Sequence, residues 1–326
     1  MERRIQITWF SELPLQGKVP RSFRNMRTEF AWFVAQDAEH VPLSNISSLP
    51  DKSIDIGIII IPKNVKNYIQ YDVASELKRV CKQYAFMQEG PSWYFQSLPL
   101  AESLWFYNIM LQSDFVLAHN NIDREYYQGM LGKPSFINPT LMVEDSIKDL
   151  PKVERKGVMI GGNLVRWYGG FNSYTVASEA NEPITAPQMG RMDKAELQLE
   201  EINHLPYLEW ADWIGALNNF KYAVHLNPNT IAGTFNLNCA YLGIPCIGNI
   251  ECNTQRICFP ELSVRDNDIQ TARKLMKRLV TDQEFYSHIS TSAKENYYKH
   301  FAEEVYVNNW DVISKQLSNP SYNSNT

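Results

Sequence analysis

No stretch of 18 or more consecutive apolar residues occurs in the 326-residue sequence, and no charged-then-apolar leader opens it. Neither a membrane-spanning helix nor a standard export signal is therefore expected, and the reading is of a soluble, cytoplasmic protein. No CxxC pair occurs among the five cysteines, Cys81, Cys239, Cys246, Cys252 and Cys258. Cys246, Cys252 and Cys258 recur every six residues, which fits either a metal site or ordinary strand and loop thiols in a reducing cytosol. The second is the expectation, with no metal. Positive charge is in short supply: 31 Lys and Arg against 36 Asp and Glu leave a net charge of −5, which gives no general attraction to nucleic acid or anionic membranes. Such a partner would need a local patch. KVPRSFRNMR supplies one, with Lys18, Arg21, Arg24 and Arg27. Repeats are absent, and low complexity is confined to the tail NPSYNSNT (319–326), expected to fray. No GxGxxG followed by an acidic residue is present, which argues against a dinucleotide-binding dehydrogenase.

What the sequence does have is alternation. IQITWF (5–10) reads as a strand, and RSFRNMRTEFAWFVAQ places Phe23, Met26, Phe30 and Phe33 at helical spacing. Among the nearby aromatics, Trp9 and Phe10 are expected to be partly exposed. IDIGIIII (54–61) is a β-branched run of the kind buried on both faces of a parallel sheet. A helix in NYIQYDVASELKRVCKQ, a strand in YAFMQE, a helix in LAESLWFYNIMLQ, a strand in DFVLAHN, a helix in IDREYYQGM and a strand in SFINP follow. The charged, aperiodic segment 141–156 reads as a linker. A second series starts at GVMIGG (157–162) and runs through WADWIGALNNF, YAVHLN, FNLNCAYL, PCIGN and IQTARKLMKRLV to two C-terminal helices. The fold class expected is α/β, with two Rossmann-like doubly wound domains facing across a cleft: 1–150, then 151–300, then a C-terminal helix and tail over 301–326, the helix packing back on the first domain. Ligands in such sheets bind outside the carboxyl ends of the strands.

Three stretches carry chemistry. GVMIGGNLVRWYGG runs a strand into Gly161 and Gly162, letting backbone approach a ligand, with Arg166 in reach of a phosphate; a plain turn is the alternative. AGTFNLNCAYLGIPCIGN places Gly233 and Thr234 at a helix start, where free N–H groups and the dipole favour an anion such as a diphosphate. Asn227, Asn229, Asn236 and Asn238 surround it, more asparagine than structural punctuation requires. In YAFMQEGPSWYF, Glu89 ends a strand at the rim and is the first choice for a general base or acceptor-hydroxyl binder, with Trp93 as a stacking face. His119, ending DFVLAHN, is its rival.

The order WADWIGALNNFKYAVHLNPN, AGTFNLNCAYLGIPCIGN, FPELSVRDND and a final YYKHF resembles the donor domain of GT-B glycosyltransferases of the family 4-like group. DFVLAHNNIDREYYQGMLGKPSFINP resembles the last strand-helix-strand of their N-terminal domain. The resemblance implies a nucleotide-sugar donor, a UDP-sugar first, held mainly by the C-terminal domain through Gly161, Gly162, Arg166, Gly233 and Thr234. It implies an acceptor held by the N-terminal domain and no obligatory metal or other cofactor. Where the family usually has a Glu on the helix before GxP, this sequence has Asn238, which leaves donor identity and stereochemical course open.

The function expected is transfer of a sugar to an acceptor hydroxyl. KVPRSFRNMR and the soluble character suit a hydroxymethylated base in DNA, as modified by bacteriophage glycosyltransferases; a cell-surface glycan is the other acceptor weighed, without a membrane anchor. A non-catalytic GT-B-shaped binding or scaffolding subunit is the reading from another class, motivated by Asn238.

Overall fold

A computed structural model describes residues 5–188 and 194–317; the tail 319–326 lies outside the described residues. The described chain divides into two compact units, one of residues 5–21, Glu29–Pro139 and 306–317, the other of Ser22–Thr28 and Thr140–Val305.

Unit 1 carries β1 (Ile7–Ser11), α1 (Thr28–Ala35), β2 (Glu39–Pro42), β3 (Ile54–Ile60), α2 (Val73–Val80), β4 (Cys81–Met87), α3 (Leu100–Gln112), β5 (Phe115–Ala118), α4 (Asn121–Leu131) and β6 (Ser135–Ile137). Its six strands pair in the order β2-β1-β3-β4-β5-β6, every pairing parallel. Side chains alternate across a strand, and β1 shows both faces in use. Phe10 joins the core formed with α2, α3 and α4, while Trp9 stacks on Trp32 of α1 at 5.4 Å. Both rings are wholly buried, so the partial exposure expected of Trp9 and Phe10 is not found: a central strand covered on both faces leaves no wet side.

The first helix is shorter than its periodicity suggests. Residues 21–27 form turns, and α1 begins only at Thr28, so KVPRSFRNMR precedes the helix. Likewise α2 starts at Val73, where Asp72 accepts from the Ser75 N–H, and its last residue abuts β4, which claims Cys81–Gln83 from the expected helix.

Unit 2 carries β7 (Val158–Ile160), α5 (Gly170–Ala177), β8 (Ile184–Pro187), β9 (Ile202–Leu205), α6 (Trp210–Leu217), β10 (Tyr222–His225), α7 (Thr234–Leu242), β11 (Cys246–Asn249), α8 (Asn253–Cys258), β12 (Ser263–Val264), α9 (Ile269–Thr281) and α10 (Gln283–Phe301); α11 (Glu303–Leu317) follows. The strand order is β12-β11-β10-β7-β8-β9, again all parallel. In both units the order reverses beside the first strand, which is the topology of a doubly wound, Rossmann-like sheet. Within 141–156, Leu141, Met142, Val143 and Ile147 are buried, so the first half of this segment is packed core rather than free linker. Residues 306–317 of α11 belong to unit 1, where the Tyr306 hydroxyl and Trp310 Nε1 both donate to Asn138 Oδ1 (2.9 and 3.0 Å). Among the described residues no helix is long and apolar enough to cross a membrane.

Candidate active site

In unit 2, β7 leads into Gly161 and Gly162, and neighbouring side chains explain both glycines. A Cβ on Gly161 would lie 2.5 Å from the His225 ring, and one on Gly162 would lie 2.4 Å from Tyr168 Cβ. The next pair is tighter still: a Cβ on Gly169, whose φ is +64°, would lie 1.9 Å from Leu226 O, and one on Gly170 would lie 1.8 Å from Asn163 O. These contacts fold the β7–α5 loop against the end of β10. Glu196 anchors the loop from the other side, its buried carboxylate accepting from the Leu164 N–H at 3.1 Å. On the loop's outer edge Arg166 is exposed, and its side chain makes no hydrogen bond or ion pair among the described residues.

The start of α7 is built differently. Its N-cap is Gly233 at φ +76°, a conformation open to glycine, with no side chain capping the helix. The Thr254 hydroxyl donates to Gly233 O (2.9 Å) from behind, where a Cβ would meet it at 1.8 Å. The only intrahelical acceptor offered by the cap is Gly233 O, which takes the Leu237 N–H (2.9 Å). The N–H groups of Thr234, Phe235 and Asn236 therefore have no partner in the helix, and the positive end of its dipole is uncompensated. Beside it the hydroxyls of Thr28, Thr140 and Thr234 form a triangle with sides of 2.9, 3.1 and 3.1 Å.

The asparagines around α7 are turned inward. Asn227 Oδ1 accepts from Asn229 N and Nδ2, both at 2.9 Å. Asn236 Oδ1 accepts from His225 Nδ1 (3.0 Å), and its Nδ2 donates to Gln255 Oε1 (2.7 Å). Asn238, with its amide in the orientation that satisfies both ends, accepts from Trp213 Nε1 (3.0 Å) and donates to Thr234 O (3.2 Å). Burial holds His225 neutral, its pKa lowered to about 4 despite the Asn236 bond.

In unit 1, Glu89 lies just past β4, half-buried, with its Oε2 3.1 Å from Lys63 Nζ. Burial pushes its carboxyl pKa up, but Lys63, a hydrogen bond with Glu29 and the nearby His119 outweigh that, so the net direction is down. His119 is buried, tilted against Trp32 at 5.4 Å, with no partner for Nδ1. Burial lowers its pKa, against the opposing charges of Glu89 and Asp123 and a hydrogen bond with the backbone of Asn138. Glu89 and His119, rivals in the sequence, are neighbours here. Asp123 fixes the loop beyond them, accepting from Ser92 N and Asn120 Nδ2, both at 2.8 Å, and the adjacent Trp93 is exposed.

The basic stretch is divided. Lys18 pairs with Asp37 at 2.6 Å in unit 1. Arg24 belongs to unit 2, where its guanidinium pairs with Asp212 and its carbonyl accepts from Ala211 N (2.9 Å). Arg21 and Arg27 fall on either side of the division between the units. All five cysteines are buried as free thiols, and burial pushes Cys246, Cys252 and Cys258 above the ordinary thiol range. No group of three or more His, Cys, Asp or Glu suited to a metal occurs among the described residues.

No protein-family model matches this chain, and no curated protein matches it. Solved structures do. HepE of Anabaena in complex with UDP-glucose aligns with a TM-score of 0.66 at 9% identity, over 96% of this chain and 100% of that one. Sucrose-phosphate synthase from Thermosynechococcus elongatus aligns at 0.65 with 10% identity, over 96% and 99%. An alpha-glucosyltransferase solved with UDP and a 13-mer DNA containing a central A:G mismatch aligns at 0.64 with 12% identity, over 95% and 99%. The fold is GT-B.

Sequence reasoning missed several residues that the GT-B frame of this chain brings to these places. Thr28 and Thr140 are single threonines in unremarked positions, and only the fold sets them beside Thr234. Glu29 and Lys63 flank Glu89 from 60 and 26 positions away, a separation at which one sequence gives no pairing signal. Glu196 sits in a stretch without periodicity.

Proposed function

We propose that this protein is a glycosyltransferase that moves a sugar from a nucleoside-diphosphate sugar, a UDP-sugar first, to an acceptor hydroxyl. One observation carries the reading: the uncapped start of α7, with Gly233 held at φ +76° and three threonine hydroxyls alongside. Helix N-termini of this kind favour phosphate oxygens. Arg166, exposed and unengaged, adds a planar donor for the diphosphate. Together they stabilise the departing diphosphate, the main catalytic contribution assigned to this chain. With that charge met by protein groups, neither a metal nor another cofactor is required in the proposal. Glu89, kept ionised by Lys63, would take the acceptor proton or hold its hydroxyl; the neutral His119 beside it would orient the same group. Buried free thiols are in keeping with a cytoplasmic location.

For the acceptor we propose a hydroxymethylated base in DNA, supported by the solved neighbour that holds DNA and by the exposed Lys18, Arg21 and Arg24. A cell-surface glycan is the alternative. The inward-facing amide of Asn238, where the family usually has a Glu, favours a second reading of a non-catalytic binding subunit.

Calorimetry with UDP, GDP, ADP, CMP and their sugars, with and without magnesium, tests the donor. Selective binding of one nucleoside diphosphate is expected; binding of none would sink the proposal. Transfer of labelled sugar to hydroxymethylated DNA against glycan acceptors then tests the acceptor, and donor binding without transfer or hydrolysis would favour the non-catalytic subunit.

A further inference from the structure

At the other end of α7 from Gly233, unit 2 opens a groove of about 450 Å³, lined by Lys152, Arg155, Asn218, Tyr241, Lys294 and Tyr298 among others. The nine residues of α7 separate it from the helix start by about 13 Å at 1.5 Å per residue. The proposed sugar transfer makes no use of it.

Arg155 forms its rigid wall. The guanidinium donates to Asn218 O (3.1 Å), Asn218 Oδ1 (2.8 Å), Leu242 O (2.8 Å) and Gly243 O (3.4 Å), closing the carboxyl ends of α6 and α7. Its charge is thereby fixed in place. Lys294 stands beside it, exposed, and burial of its stem together with the Arg155 charge lowers its pKa. Lys152 completes the rim. Neither lysine has a carboxylate partner among the described residues. The acid whose charge reaches the two tyrosines is Glu144, and it is engaged by the Tyr297 hydroxyl at 3.0 Å.

Three like charges, none of them paired with a carboxylate among the described residues, favour an anion. We propose that this groove is a binding site for a small phosphate monoester: the phosphate meets Lys152 and Lys294 in the field of the fixed Arg155, the phenol hydroxyls of Tyr241 and Tyr298 donate to it, and its organic part lies along Leu150, Pro151 and Leu242. A dianion with three strong acceptor oxygens suits two mobile ammonium groups and two hydroxyl donors better than a carboxylate does. The volume lies in the range of small-molecule pockets. This site stands independently of the proposed transferase activity.

The test is calorimetric titration of the full chain with inorganic phosphate, a hexose 6-phosphate and the free hexose. The hexose phosphate is expected to bind and the free hexose not to. Lys152→Gln/Lys294→Gln, at two exposed positions, is expected to keep the parent circular dichroism spectrum and to weaken binding at least about tenfold. Arg166→Ala, at the other end of the sheet, is expected to leave it unchanged. Absence of binding, survival of binding in the double variant, or an equal loss in Arg166→Ala would overturn the proposal.

Discussion

Lys63 Nζ lies 3.1 Å from Glu89 Oε2, and the two residues stand just beyond the ends of the paired strands β3 and β4. The lysine, a hydrogen bond with Glu29 and the nearby His119 hold the Glu89 carboxyl below its ordinary pKa against the opposite push of burial. A depressed carboxylate contributes stability above its unfolded value, near 4.5, and that contribution is lost as pH falls through the folded pKa. The proposed base form therefore persists into acid. Lys63→Met is expected to raise the Glu89 pKa and move the acid limb of the transfer profile to higher pH, while Glu89→Gln abolishes turnover with donor binding intact. An unshifted limb in Lys63→Met, or full activity in Glu89→Gln, removes Glu89 from the mechanism.

Arg166→Ala separates binding from folding. The side chain is exposed and makes no hydrogen bond or ion pair among the described residues, so the melting temperature should hold, in line with surface exchanges within about 0.5 kcal/mol. Loss of a charge-assisted bond to the diphosphate should weaken UDP binding roughly tenfold or more in calorimetry. Unchanged affinity would place the diphosphate elsewhere.

His225 predicts an acid-sensitive stability. Its folded pKa is about 4 against 6.5 unfolded, because burial disfavours the imidazolium. Between those values the unfolded chain holds the extra proton, so this contribution is complete above pH 6.5 and falls away toward pH 4, by roughly 3 kcal/mol in all. His225→Gln, compared with the parent by chemical denaturation from pH 4.5 to 7, should show a flatter dependence; parallel curves would mean the ring is not buried neutral.

Gly233→Ala should cost more than about 1 kcal/mol, because φ +76° disfavours a side chain and the new Cβ would meet Thr254 Oγ1 at 1.8 Å. It should also impair nucleotide binding measured at a temperature where the variant remains folded. A variant as stable as the parent would refute the geometry of the cap.

The parallel sheets were legible because burial on both faces leaves near-continuous apolar runs such as IDIGIIII; the start of α2 was not, because its cap Asp72 stands in a polar stretch where many residues could cap a helix. The short strands β2, β8, β9 and β12 were not, since EHVP, ITAP, INHL and SV carry too few residues for a period to register. Of the candidate site, the glycine at the start of α7 was readable as punctuation before a helix. The destination of the asparagine amides was not: sequence shows that Asn227, Asn236 and Asn238 cluster, and only packing decides that they spend their hydrogen bonds on Asn229, Gln255 and Trp213.

The division of the chain falls inside two helices: α1 changes units after Thr28 and α11 before Tyr306. The second unit thus takes in seven residues from near the start of the chain, among them Arg24, whose carbonyl accepts the Ala211 N–H across 187 positions of sequence. The first waits for Tyr306 and Trp310 to satisfy Asn138. A ribosome cannot complete either half until almost the whole polypeptide has emerged. These long loops must be closed before their contacts repay the entropy, so folding should be slow and cooperative, and halves expressed by cutting between 139 and 157 should fail as independent domains.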